Sequence, residues 1–156
     1  MSDYSGYASQ AITDDTAVEY VFGLLIGEPA LRVAPATKQN TAFHSEALRR
    51  SLAENAAKAG KVAPDPTPES IIADEAKALA TDRELIARFC VRGWGKNPPK
   101  PAGAKEAAPF SAEEALAFLQ AVPPEHFEPF KNFVKSNYNF MPISQISEEQ
   151  AGQTGN

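Results

Sequence analysis

Glu84-Leu85-Ile86-Ala87-Arg88-Phe89-Cys90-Val91-Arg92-Gly93-Trp94 is the stretch whose reading decides the fold. Taken with the residues before it, it closes a long helical pattern. Ile72, Ala76, Leu79, Ile86 and Phe89 recur at spacings of three, four and seven, which lays one apolar stripe along a helix. Thr67, with Pro68 at the first helical position, opens the pattern. Thr81-Asp82-Arg83-Glu84 is itself a capping-box pattern, so the segment reads either as one helix or as two meeting at Thr81. On this reading the element stops near Gly93, and the chain is mainly α: a small helical domain of about four helices.

Upstream, Asn40 caps a helix that begins Thr41-Ala42-Phe43. Phe43, Ala47, Leu48 and Leu52 follow the helical period, and Arg49-Arg50 face water. Gly60 is the stop, and Pro64 and Pro66 make residues 61–66 a loop. The segment 16–34 has two readings. Tyr20, Phe22, Leu24 and Ile26 alternate on one face, Gly27-Glu28-Pro29 turns the chain, and Ala30-Leu31-Arg32-Val33 returns as a second strand. Val21 and Leu25 break the alternation, so a helix over 16–25 competes with the hairpin. Residues 1–15 and 142–156 read as disordered polar tails around a domain at 16–141.

Downstream, the Pro/Lys/Ala-rich residues 96–109 form an exposed linker. Phe110-Ser111-x-x-Glu114 is a strong helix start: Ser111 caps, and Glu114 reaches back to the cap amide. Leu116, Phe118, Leu119 and Val122 face inward, and Pro123-Pro124 ends that helix. A last helix runs from Glu125 or Pro129 to Ser136, with Phe127, Phe130, Phe133 and Val134 as its buried stripe.

The chain has 156 residues and thirteen prolines, so the packed part is smaller than the length implies, and a small core favours binding partners. Net charge is −5: both ends are acidic, while residues 35–109 carry twelve bases interleaved with nine acids. Interleaved charge reads as a solvated helical surface rather than a phosphate-binding stripe, so nucleic acid is not expected as a partner. The single cysteine, Cys90, excludes an internal disulfide and reads as a buried structural thiol. No apolar run reaches transmembrane length, and no secretory leader is recognisable, so the expected location is cytosolic.

Catalytic signatures are missing. The acid pairs Asp14-Asp15, Asp74-Glu75, Glu113-Glu114 and Glu148-Glu149 are adjacent in sequence and point apart on a helix. His44 and His126 have no second ligand at metal spacing, and no phosphate-binding glycine motif occurs. No catalytic residue, cofactor or metal is expected. Trp94 reads either as a plug between the second helix and the C-terminal pair or as a partner-binding anchor. The Phe127/Phe130/Phe133 stripe reads as core or as an exposed groove for a partner helix.

In chain order these stretches resemble the tail assembly chaperones of long-tailed bacteriophages of the siphophage type. The resemblance covers roughly residues 20–141 and rests on four stretches: Asn40-Thr41-Ala42-Phe43 with Leu48-Arg49-Arg50; Glu84 to Trp94; Pro109-Phe110-Ser111-Ala112-Glu113-Glu114-Ala115; and Phe133 through Asn139-Phe140. The linker departs from the family, whose turn at this point is short, acidic and Gly-containing. The resemblance implies a non-enzymatic helper of virion assembly in the host cytoplasm that binds the tape measure protein and helps recruit tail tube protein. Trp94, Phe110, Phe127, Phe130 and Phe140 are then the expected partner-binding residues, with self-association a further expectation. The alternatives are a structural minor tail or connector protein, and a small DNA-binding regulator using the helix around Arg83, Arg88 and Arg92.

Overall fold

The computed structural model describes residues 1–13 and 15–141. Its elements in order are β1 (Val18–Val21), β2 (Ala30–Val33), α1 (Thr41–Lys58), α2 (Pro68–Phe89), β3 (Val91–Trp94), α3 (Ala112–Ala121) and α4 (Pro124–Val134). Short 3-10 turns occupy Ser5–Gln10 and Asn137–Phe140. The fold is therefore mixed: four helices with a three-stranded antiparallel sheet in the order β1-β2-β3. The mainly-α expectation is corrected at one place. Val91-Arg92-Gly93-Trp94 is a strand, not the end of a helix. The expected tail at 142–156 lies outside the described residues.

The N-terminal hairpin forms, and the helical alternative for 16–25 does not. Tyr20 faces Leu31, and Val18 faces Val33, so one sheet face is apolar, while Glu19 sits opposite Arg32 on the other. The inward alternation runs only to Phe22. There the Phe22 amide donates to the Pro29 carbonyl at 2.9 Å and closes the loop. Leu24 and Ile26, expected on the inner face, instead stand in solvent on that loop. Its tight return places Gly27 at φ +79° and Glu28 at φ +48°.

β3 arises from contacts distant in sequence. α2 stops because the Asn40 amide donates to the Phe89 carbonyl at 2.8 Å and the backbone then turns extended. The Ala34 amide donates to the Cys90 carbonyl at 2.7 Å, and pairing continues with Val33 opposite Val91 and Leu31 opposite Trp94. The register slips between Arg32 and Val33, leaving Arg92 outside the pairing as a bulge. Past the strand, the Gly95 amide donates to the Ala30 carbonyl at 2.8 Å. A methyl group at Gly95 would meet Ala30 Cβ at 2.7 Å and its carbonyl carbon at 2.9 Å, whereas one at Gly93 would meet nothing within 4 Å. Gly95→Ala is accordingly expected to destabilise by about 1–3 kcal/mol through forced backbone movement. Gly93→Ala should leave the midpoint of denaturant unfolding within the range of an ordinary surface change; equal midpoints for the two variants would remove this account.

Buried Phe22, Leu31 and Val33 on the sheet side meet Leu85, Ile86 and Ala87 of α2, Ala115 and Leu119 of α3, and Phe127, Phe130 and Val134 of α4. Aromatic rings knit the layers. Tyr20 touches Phe22, Phe130 and Phe133 with centroids 5.0 Å apart, Phe22 touches Phe118 at 5.3 Å, and Phe127 touches Phe130 at 6.0 Å. Phe140 closes the bottom against Phe133 at 5.8 Å. Pro129 falls in the second turn of α4, later than the first-turn position expected for it.

The caps behave unevenly. Ser111 accepts from the Glu114 amide at 3.1 Å, but only that half of the expected box is present. The full reciprocal box forms at Thr67 and Ser70, with bonds of 3.1 and 2.8 Å. α2 then runs unbroken through Thr81, which settles the one-helix reading.

Candidate partner-binding surface

α1 and α2 form an antiparallel pair inserted between two neighbouring strands. Near the body the pair is anchored. Asn40 reaches Phe89, and Arg50 makes a two-pronged contact with Glu84 at 3.0 and 3.3 Å. That contact holds the Glu84 carboxyl below its ordinary range. Beyond it every residue from 51 to 78 is exposed. The seam there is polar: Glu54 and Lys58 face Asp74, Lys77 and Thr81, with Lys58 bonded to Glu54 at 2.8 Å. The pair is therefore an arm that projects from the packed body. Leu48, Leu52, Ile71 and Ile72 stand in solvent on it, with Leu52 at 68 % and Ile72 at 66 % exposure.

This corrects the expected stripe. Ile86 is buried, and Leu79 is half-buried at the edge of the core, but Ala76 and Ile72 continue the same helical face past the body with nothing over them. The sequence carried a signal for this. From Ala53 to Lys61 α1 and its end offer no apolar side chain larger than alanine, so α2 has no apolar partner there.

The expected partner-binding residues separate into two groups. Phe127 and Phe130 are fully buried, and Phe140 is nearly so. Sequence spacing gave α4 an aromatic face but not its cover: Tyr20 and Phe22 of the hairpin cover Phe130, Phe127 packs beside Phe130 under Arg83, and Phe140, on the turn after α4, packs against Phe133, so these three are core and present no surface to a partner. Trp94 and Phe110 remain accessible. Trp94 is half-buried, its Nε1 donates to the Ala108 carbonyl at 2.8 Å, and its ring meets Phe110 edge-on at 5.2 Å. Phe110 is 38 % exposed. Beside them Pro99, Pro101, Ala117 and Phe118 line a cleft of about 220 Å³. The linker that carries these prolines is exposed at 100–106 but tied down at both ends: the Ala30 amide donates to the Asn97 carbonyl at 2.8 Å, and Ala108 takes the indole proton.

The three arginines of the DNA-binding alternative are dispersed. Arg83 donates to the Val122 carbonyl at 2.6 Å and the Gln120 carbonyl at 3.3 Å, and its guanidinium lies over the Phe127 ring at 5.4 Å. Arg88 pairs with Glu84 at 3.4 Å, and Arg92 sits on β3.

Cys90 is buried against the Pro35 carbonyl, and burial pushes its thiol up to about 12. It should resist alkylating reagents at pH 8 in the folded protein and react promptly in denaturant, because the thiolate is the reactive form. Rapid native labelling would contradict the packing around it.

Among the described residues no three His, Cys, Asp or Glu side chains come together in a way that could hold a metal ion, and no helix is long and apolar enough to cross a membrane. No family model, curated protein or solved structure matches the chain.

Proposed function

We propose that the chain is a non-enzymatic tail assembly chaperone of a long-tailed bacteriophage, which binds the tape measure protein and helps assemble the tail tube in the host cytoplasm. The observation that carries the reading is the α1–α2 arm: a packed body presents two helices whose apolar residues, Leu48, Leu52, Ile71 and Ile72, are in solvent. Helices of this length with a polar seam gain little stability from each other, and covering an apolar stripe with a second helix is the ordinary way such surfaces are used. The sequence resemblance supplies the partner. Trp94 and Phe110 form a second point of attachment on the body.

Co-expression with the tape measure protein tests the proposal. The expected result is a larger soluble fraction of that protein and its co-purification with this chain. Unchanged solubility with no co-purification would overturn it. Stoichiometric recovery of this chain from purified particles by mass spectrometry would favour the minor-tail alternative instead. Trp94→Ala should weaken co-purification while the fold persists, since the ring is not fully buried.

A further inference from the structure

The strongest unexplained surface is the outer half of α2. Ile72, Ala76 and Leu79 are neighbours at spacings of four and three, so they line one face of the helix. Glu69 and Glu75 lie three residues to either side of Ile72, about 60° around the helix in each direction, which places a carboxylate along each edge of the stripe. Both are exposed, and among the described residues neither is in an ion pair. Several of the nearby charges are already engaged. Asp82, at the body end, pairs with Lys131 at 3.3 Å. Arg83, the one cation on this side of the helix, is committed to the carbonyls of Gln120 and Val122. Lys58 lies in the seam with α1, on Glu54.

We propose that this face is the docking site for an amphipathic helix whose apolar stripe is edged by lysine or arginine. The inference rests on the reading of the chain as a binder of a helical partner, and it names which helix and which face. An incoming helix would cover Ile72 and Ala76, reach Leu79 at the edge of the core, and stop against the Asp82–Lys131 pair. Its apolar residues supply the burial, and its cations meet the two unpaired carboxylates. A helix edged by acids would place like charges against Glu69 and Glu75, so the face selects by sign as well as by shape.

The test uses the full chain and two synthetic helical peptides of about five turns, roughly 18 residues. Both carry the same leucine stripe, one edged by lysine and the other by glutamate. Anisotropy titrations should show the lysine peptide binding about tenfold more tightly, since each exposed charge pair contributes only modestly. Raising salt from about 50 to 500 mM should shrink that difference. Glu69→Lys with Glu75→Lys should reverse the preference. Ile72→Asp should weaken both peptides about tenfold with a melting curve little changed, because Ile72 is 66 % exposed in the free protein. Equal affinity for the two peptides, or an unaltered preference in the double charge reversal, would overturn the proposal. So would sedimentation showing the free chain as a dimer that Ile72→Asp dissociates, since the occupant would then be a second copy. Failure of the functional reading looks different: the peptide preference would persist while the tape measure protein gains no solubility. The converse, undiminished solubilisation by Ile72→Asp, would remove this face and leave the chaperone reading standing.

Discussion

Phe130→Ala is expected to lower the unfolding free energy by about 3–5 kcal/mol, a large share of what holds a body this small together. The ring is fully buried and lies at the meeting point of three layers. It touches Tyr20 and Phe22 of the hairpin, each at 5.0 Å, and Phe127 of its own helix at 6.0 Å. Truncation removes the transfer term and leaves a cavity that neither a hairpin nor a short helix closes easily. Leu52→Ala removes a side chain of similar chemistry from the arm, where it is 68 % exposed, and should change stability by no more than about 0.5 kcal/mol. Chemical denaturation of the two variants distinguishes a core aromatic from a surface one. A small loss for Phe130→Ala would contradict the packing of α4 under the sheet.

Asn40→Ala should cost about 2–3 kcal/mol, more than a helix cap alone. Among the described residues Asn40 is the one polar side chain buried with the core, and it serves two helices at once. Its Oδ1 accepts from the Phe43 amide at 3.3 Å, capping α1, and its Nδ2 donates to the Phe89 carbonyl at 2.8 Å, where α2 ends. Its amide also faces Cys90 Sγ at 3.9 Å. Alanine leaves the Phe89 carbonyl buried without a donor, and that orphaned acceptor is the larger part of the loss. Asn40→Asp separates the two functions. It keeps the acceptor for α1 but directs a carboxylate oxygen at a carbonyl, so it should recover no more than the cap. Full recovery by aspartate would show that the bond to Phe89 contributes nothing. Native labelling of Cys90 offers a second readout, because opening at Asn40 exposes the neighbouring thiol.

The sequence made the local devices legible. Asn40, Thr67 with Pro68, and Ser111 were each readable as a helix start, because a cap is a matter of a few adjacent residues. The hairpin was readable because alternation and a Gly-Glu-Pro turn stand side by side. β3 was not. Val91 to Trp94 is four residues with a glycine among them, directly after a helix, and it becomes a strand only because β2, some sixty residues earlier, offers an open edge. The burial of Phe127 and Phe130 was half legible: their spacing marks one face of α4, but not whether a sheet lies on it, and Phe140, on the turn that follows, gave no such signal. For the same reason Ile72 looked identical to Ile86. Periodicity reports the face a residue occupies, and it is silent about where along the helix the body ends. The resemblance assigned partner contacts by motif, and of those five residues the fold leaves Trp94 and Phe110 where a partner could reach them.

The α1–α2 arm is tied at its base by two contacts, Asn40 with Phe89 and, further out, Arg50 with Glu84. Everything beyond that point can lengthen or shorten without disturbing the sheet. Adding or removing seven residues from each helix together keeps every side chain on its face and changes the reach by about 10 Å. The arm is thus a span that evolution can adjust in steps while the body stays fixed. Homologues should differ most in length between residues 51 and 78, by paired insertions of near-heptad size rather than by scattered single residues.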